Sequence, residues 1–102
     1  MRLVMAVLKP SQVESVRQAL AEVDVARLTV CDAQGYDAPP ADAVVQQAVM
    51  EIAVNEDFLN RTVTRIAAAL AADGGDAEGR LFVLPMDDAM QLYREVRGPE
   101  AV

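Results

Sequence analysis

Histidine and tryptophan are absent from this chain of 102 residues, and cysteine occurs once, as Cys31. Without histidine, the usual general base of nucleophilic catalysis and a common zinc ligand are both missing. A single cysteine cannot form an internal disulfide, which is typical of a reducing compartment. These absences predict a protein that is not an enzyme and holds no metal, in which Cys31 packs as a small apolar residue.

Basic residues are also scarce, since nine Lys and Arg stand against sixteen Asp and Glu and give a net charge of −7. Nucleic-acid binding depends on clustered cations, so no nucleic-acid partner is expected. No run approaches the ~18 apolar residues of a membrane span, and membrane insertion is not expected. The apolar start of the chain stops at Lys9-Pro10 without a small-residue cleavage site, which predicts a strand and a cytoplasmic protein.

The apolar residues that are present predict four strands, two longer helices and a short C-terminal helical segment. The strands are expected at Leu3–Leu8, Arg27–Ala33, Val44–Val54 and Arg80–Leu84, with a loop at Gly35–Ala43 and the helical segment at Met86–Tyr93. The first helix follows a capping box made by Ser11 and Glu14, and the second follows Asn55 as its N-cap. Their apolar stripes are Val13, Val16, Leu20 and Val23 in the first, and Leu59, Val63, Ile66 and Leu70 in the second.

The order β-α-β, loop, β-α-β predicts an α+β, ferredoxin-like βαββαβ fold, with one domain over residues 1–102. Its four-stranded antiparallel sheet would carry both helices on one face. The strands are apolar on both sides, as Leu3, Met5 and Val7 alternate with Val4, Ala6 and Leu8. The second face is therefore expected to be covered by other copies of the chain in a closed homo-oligomer.

A glycine-rich segment, Asp73-Gly-Gly-Asp-Ala-Glu-Gly-Arg80, runs directly into the last predicted strand. Glycines allow a backbone turn whose N–H groups bind an anion, and Arg80 would add a cation. Three carboxylates in the same segment oppose that use. The alternative interpretation is a helix C-cap and a surface turn, for which Gly74 or Gly75 suffices.

With these elements in place, the sequence resembles the PII nitrogen-regulatory signalling family. The resemblance runs through Met1–Pro10, Val16–Val23 and Leu28–Tyr36, resumes over Met50–Val83 and includes the tail from Arg97. It implies a homotrimer with the ferredoxin-like fold and adenine-nucleotide clefts between subunits. It also implies control of a partner protein, unidentified here, which would be a transporter, an enzyme or a regulator.

The resemblance assigns nucleotide contacts to Val7, Thr29, Gly35, Val54, Gly74, Gly79 and Arg80. The chain departs from the family pattern elsewhere: Gln91 and Tyr93 stand where the family has two phosphate-binding arginines, although Arg94 is adjacent. The loop after the second strand is also shorter. Fewer cations favour a less charged nucleotide, so ADP or AMP is expected rather than ATP.

Two alternatives stay open at this point. The chain would be a divergent PII-like trimer that has lost nucleotide binding and serves as an interaction module, or binds another anion or a metal. A small ferredoxin-like enzyme such as an acyl phosphatase is a weaker alternative, because it would need an arginine-rich phosphate loop that the sequence lacks.

Overall fold

The computed structural model describes residues 1–36, 44–73 and 79–102. Four strands form one antiparallel sheet in the order β2-β3-β1-β4, as the ferredoxin-like prediction requires. The elements are β1 Arg2–Leu8, α1 Val13–Ala21, β2 Thr29–Tyr36, β3 Val44–Val54, α2 Glu56–Ala72 and β4 Arg80–Pro85, with short 3₁₀ helices at Pro10–Gln12 and Gly98–Ala101. None of the described helices is long and apolar enough to cross a bilayer.

The core lies between the helices and one face of the sheet. Side chains alternate across a strand, so every second residue of β1 and β3 meets α1 and α2. These residues are almost fully buried: Val4, Ala6 and Leu8 in β1, and Ala48, Met50, Ile52 and Val54 in β3. We call this side the covered face.

Helix α1 supplies Val16 and Leu20 to the core, as predicted, but the predicted capping box is wrong. Gln12, not Ser11, is the side chain that satisfies the backbone here, because its Oε1 accepts a hydrogen bond from the Lys9 amide at 3.0 Å. The 3₁₀ turn at Pro10–Gln12 shifts the start of α1 and leaves Glu14 paired with Arg17 on the surface.

Helix α2 starts after Asn55, as predicted, although the Asn55 side chain makes no capping hydrogen bond. Its Nδ2 instead donates to the Pro99 carbonyl at 2.9 Å and so holds the C-terminal 3₁₀ helix. The buried stripe of α2 centres on Ile66 and includes Thr62, which the apolar pattern omitted. Thr62 is tolerated there because its hydroxyl donates to the Phe58 carbonyl at 2.8 Å.

Neither α1 nor α2 lies over the other face of the sheet. Its residues follow from the register and are aligned in rows across the strands: Leu3, Met5 and Val7 of β1, Val49, Glu51 and Ala53 of β3, Thr29 and Cys31 of β2, and Arg80, Phe82 and Leu84 of β4. Phe82 and Leu84 are 47% and 39% exposed. We call this side the open face.

Strand β2 begins and ends later than predicted, so Gly35 and Tyr36 belong to the strand and not to a loop. Strand β3 has the predicted bounds. Because β1 ends opposite Ala48 while β2 and β3 pair as far as Tyr36 and Val44, the β2–β3 hairpin extends beyond the rest of the sheet. The predicted loop from Asp37 to Ala43 lies outside the described residues.

The predicted helical segment at Met86–Tyr93 is wrong. The chain instead forms a hairpin in which Met90 bridges Arg97 and the Gln91 amide donates to the Val96 carbonyl at 3.0 Å. Asp88 organises it, since its carboxylate accepts from the Ala89 amide at 2.9 Å and from Arg97 Nη2 at 2.8 Å. The hairpin closes at Gly98, whose φ of +72° favours glycine.

Candidate functional site

One group of candidate residues lies where β2 meets β3 on the open face. Thr29 pairs with Glu51, so the hydroxyl-bearing and carboxylate-bearing side chains are on the same side of the sheet. A cavity of about 210 Å³ adjoins them, lined by Leu3, Arg27, Leu28, Thr29, Glu51, Ala53, Ala101 and Val102. A hydroxyl and a carboxylate beside apolar walls can accept hydrogen bonds from the amine of a planar ring.

A second group lies at the opposite edge of the sheet. Arg80 is the first residue of β4 and pairs with Val7 of β1, which places both on the open face. Gly79 comes just before, and a Cβ added there would lie 3.2 Å from Leu70 Cδ1 and 3.7 Å from the Val7 carbonyl oxygen. The chain at Gly79 therefore passes close to both α2 and β1, which holds Arg80 near the end of β1.

The two groups do not form one pocket within a single chain. Thr29 is on one outer strand and Arg80 on the other, so three interstrand spacings, or about 14 Å, separate their strands. Within one chain, the two groups therefore lie on opposite sides of the open face.

Gly35 lies on the hairpin formed by β2 and β3, opposite Val45. An added Cβ would lie 2.3 Å from Gln47 Oε1, which means that the Gln47 amide crosses the position where a side chain would start. The glycine thus lets Gln47 lie flat against β2. The hairpin bears this polar amide on the open face.

Val54 is not brought to the open face. Val54 is 4% exposed and belongs to the core on the covered face, so its side chain contacts neither group. Gly74 lies outside the described residues.

Lys9 is a cation that the sequence reasoning passed over. It lines a small cavity of about 30 Å³ together with Leu8, Val45, Gln46, Gln47 and Gly79. Its place directly after β1, two residues beyond Val7, was the available signal. Lys9 and Arg80 therefore both belong to the same end of β1.

Gln12 and Asp73 tie this end of the sheet to the end of α2. Gln12 is 7% exposed, and its Nε2 donates to Asp73 Oδ2 at 3.1 Å while its Oε1 accepts from the Lys9 amide. Asp73 was expected to oppose anion binding as a loop carboxylate. In the structure its carboxylate also accepts the hydrogen bond from Gln12, a contact that the sequence did not indicate.

The C-terminal hairpin carries the residues that replace the arginines expected from the resemblance. Tyr93 is 98% exposed at its turn, and Gln91 is half-buried. Both line a cavity of about 330 Å³ with Leu92, Arg94 and Arg27. Asp88 is engaged in the same hairpin, where the Ala89 amide and then Arg97 hold the pKa of its carboxyl below the ordinary value.

Metal-binding side chains do not gather anywhere in the described ranges, where no three of His, Cys, Asp and Glu come together. Cys31 is exposed in β2 and was expected to be a small packed residue. It belongs to the open face, so it would be buried only against another molecule.

Comparison with known proteins agrees with the observed fold. A sequence model described as nitrogen regulatory protein P-II matches residues 1–96. The chain belongs to the P-II family. It is 32% identical to nitrogen regulatory protein GlnK1 of Methanosarcina mazei over 114 aligned positions, which cover 100% of this chain and 97% of that protein.

Other P-II proteins give the same result. The chain is 30% identical to nitrogen regulatory protein P-II of Rhizobium etli, with 100% of both chains covered. A crystal structure of Arabidopsis thaliana PII bound to citrate has a TM-score of 0.84 at 29% identity, covering 98% of this chain and 87% of that one. The family and the ferredoxin-like fold are thus confirmed.

Proposed function

We propose that this P-II protein is a homotrimeric signalling protein that binds an adenine nucleotide in a cleft between subunits and thereby controls a partner protein. The observation that carries the proposal is the split of the candidate site between the two edges of one open apolar face. Thr29 and Glu51 would bind the adenine from one subunit, and Val7, Gly79 and Arg80 would contact the ligand from the next.

The open face supports the assembly. It carries Leu3, Met5, Val7 and Phe82, and neither α1 nor α2 lies over them. At about 25 cal/mol per Å² of apolar surface, covering it with equivalent faces is strongly favourable. A closed ring of identical subunits would also bring the β2 edge of one copy towards the β4 edge of another.

The charges near the site favour a ligand with few phosphates. Arg80 and Lys9 are the cations on the β1–β4 side, while the cavity on the β2–β3 side is lined by both Arg27 and Glu51, whose charges are opposite. A triphosphate needs more positive charge than these residues supply, so ADP or AMP is the better ligand. The β2–β3 hairpin, which extends beyond β1, is the element suited to contact the partner protein.

Isothermal titration with AMP, ADP and ATP tests the ligand, and sedimentation equilibrium tests the trimer. We expect micromolar to submillimolar binding of ADP or AMP that exceeds the binding of ATP. Arg80→Ala should weaken ADP binding by about tenfold, because it removes one charge-assisted contact to phosphate. Arg65→Ala is the matched control, because Arg65 pairs with Glu22 on the helices.

The alternative is a P-II trimer that has lost nucleotide binding and acts as an interaction module. The exposed Tyr93 and the neutral Gln91 in the C-terminal hairpin favour it. It predicts an intact trimer with no heat from any nucleotide at millimolar concentration. Citrate, the anion bound by the A. thaliana relative, belongs in the same titration as a ligand without a base.

A further inference from the structure

Most basic residues of this acidic protein already have a partner. Within the described residues, Arg2, Arg17, Arg65 and Arg97 form ion pairs with carboxylates, and Arg61 lies over the Phe58 ring at 4.3 Å from its centroid. Arg27, Arg80 and Arg94 form no ion pair with any described carboxylate. Arg80 belongs to the candidate site already described, so Arg27 and Arg94 are the two arginines among the described residues that still need a physical account.

The fold brings these two arginines to one cavity although 66 positions separate them in the sequence (Arg27 and Arg94). Arg27 comes just before β2, at one edge of the sheet. After β4, at the other edge, the Met86 amide bonds the Met1 carbonyl, and the tail reaches Asn55 at the end of β3. The hairpin between these two points therefore lies near the start of β2, and Arg94 at its turn lines the cavity that Arg27 also lines.

The remaining lining suits an anion with an attached ring. Gln91, Leu92 and Tyr93 complete the cavity of about 330 Å³, so an amide donor, an aromatic ring and two guanidinium groups share one space. No acidic side chain lines this cavity itself, although Glu95 lines an adjoining cavity of about 530 Å³ with Arg94, and Glu51 lines the one beside Thr29 with Arg27. Arginine is the side chain best suited to bind phosphate oxygens, because its N–H groups are arranged in a rigid fork.

Arg27 also links this cavity to the one beside Thr29 and Glu51. It lines both, and only Leu28 separates it from Thr29. A ligand whose ring lay against Thr29 and Glu51 would thus have Arg27 at the border and Arg94 beyond it. The Glu51 carboxylate borders the ring end, where it accepts hydrogen bonds, and not the cavity that holds Arg94.

We infer that Arg27 and Arg94 form a phosphate-binding pair that makes up for the neutral Gln91 and Tyr93. The inference rests on the proposed nucleotide function and names the residues that hold the diphosphate on the Thr29 side of the cleft. Its chemistry is that of a phosphate ester bound by two guanidinium groups.

The test compares Arg27→Gln, Arg94→Gln and the double variant with Arg61→Gln, which removes the same charge from α2, outside this cavity. Calorimetric titrations use ADP, uncharged adenosine and inorganic pyrophosphate. We expect each cavity variant to weaken ADP and pyrophosphate binding by about tenfold, and Arg94→Gln, which lies outside the cavity beside Thr29 and Glu51, to leave adenosine binding unchanged. Arg61→Gln should leave all three affinities as they are.

Each result distinguishes the inference from the proposed function. If pyrophosphate binds in a way that depends on the two arginines, but neither adenosine nor ADP binds, the anion site is supported and the nucleotide function is overturned. ADP binding that Arg27→Gln and Arg94→Gln change no more than Arg61→Gln overturns the arginine pair and keeps the function. If wild-type protein binds none of the three probes, both are overturned.

A measurement without any variant gives an independent check. Raising the salt concentration screens phosphate contacts, so ADP affinity should fall while adenosine affinity stays constant. ADP affinity that does not respond to salt would contradict a site made of two exposed guanidinium groups.

Discussion

The covered and open faces of the sheet are made from the same strands and from similar residues, yet they differ in what packs on them. On the covered face, Val4 and Ile52 are 0% exposed beneath α1 and α2. On the open face, Phe82 and Leu84 are 47% and 39% exposed. This difference in exposure shows that the apolar sequence of a strand does not determine which element or molecule packs on each of its faces. One face stabilises the single chain, and the other is available to stabilise an assembly.

The largest effect should come from a cavity on the covered side. Ile66→Ala removes a side chain that is 0% exposed and should lower the free energy of unfolding by about 3 kcal/mol. Urea unfolding measures it. The matched open-face variant Leu84→Ala should cost the dissociated chain less than about 1 kcal/mol. Equal losses at the two positions would contradict the distinction between the faces.

The next effect concerns assembly. Phe82→Glu places a carboxylate in the middle of the open face, where subunit contact would bury it without a partner. We expect the dissociation constant of the oligomer to rise by at least about a hundredfold, with unfolding of the monomer little changed. Sedimentation equilibrium and circular dichroism measure the two quantities. A monomeric wild-type protein would remove the role assigned to this face.

A smaller loss of stability is expected at Gln12, whose side chain belongs to neither face and joins the end of α2 to the end of β1. Gln12→Glu puts two carboxylates side by side and should destabilise the fold by about 1–2 kcal/mol. Adding Asp73→Asn exchanges the amide and the carboxylate, so the pair can bond again and most of the loss should return. Thermal unfolding of the single and double variants shows whether this coupling exists.

The smallest effect is a pH dependence in the C-terminal hairpin. The pKa of Asp88 is lowered in the folded chain, first by the Ala89 amide and then by Arg97. Its contribution to stability is therefore present above the ordinary carboxyl pKa of about 3.9 and is lost as pH falls through the lower folded value. The Ala89 amide resonance should shift over that window, and Asp88→Asn should abolish the shift.

Regular patterns made most of the fold predictable. The bounds of β3 were predicted correctly because the mostly apolar residues from Val49 to Val54 are typical of a strand. The buried side of α1 was predicted correctly because Val16 and Leu20 are four residues apart, which is the spacing of one helix face. Prediction was wrong where polar side chains decided the structure. Thr62 is buried because the Phe58 carbonyl accepts a hydrogen bond from its hydroxyl. Gln12 takes the place of the expected cap because its side chain bonds both the Lys9 amide and the Asp73 carboxylate.

The sequence predicted which residues belong to the candidate site better than it predicted where they lie relative to one another. The resemblance identified Thr29 and Arg80, but only the strand order shows that they lie on opposite outer strands. Arg27 carried no local pattern, the signal for Lys9 was its place directly after β1, and Glu51 appeared as one acidic residue in an apolar strand. The C-terminal hairpin was missed because Asp88 reaches Arg97 across the turn, a pairing that helical periodicity does not predict.

Strand β3 has a consequence for how the length of this chain can vary. It pairs with β1 on one side and β2 on the other, so inserting or deleting one residue within it would exchange its inward and outward side chains. Glu51 would then enter the core and Ile52 would leave it. Alignment with the M. mazei relative spans 114 positions against 102 residues here. Such a difference in length is tolerated where strand register is not fixed, so the connections are free to change while the central strand keeps its number of residues.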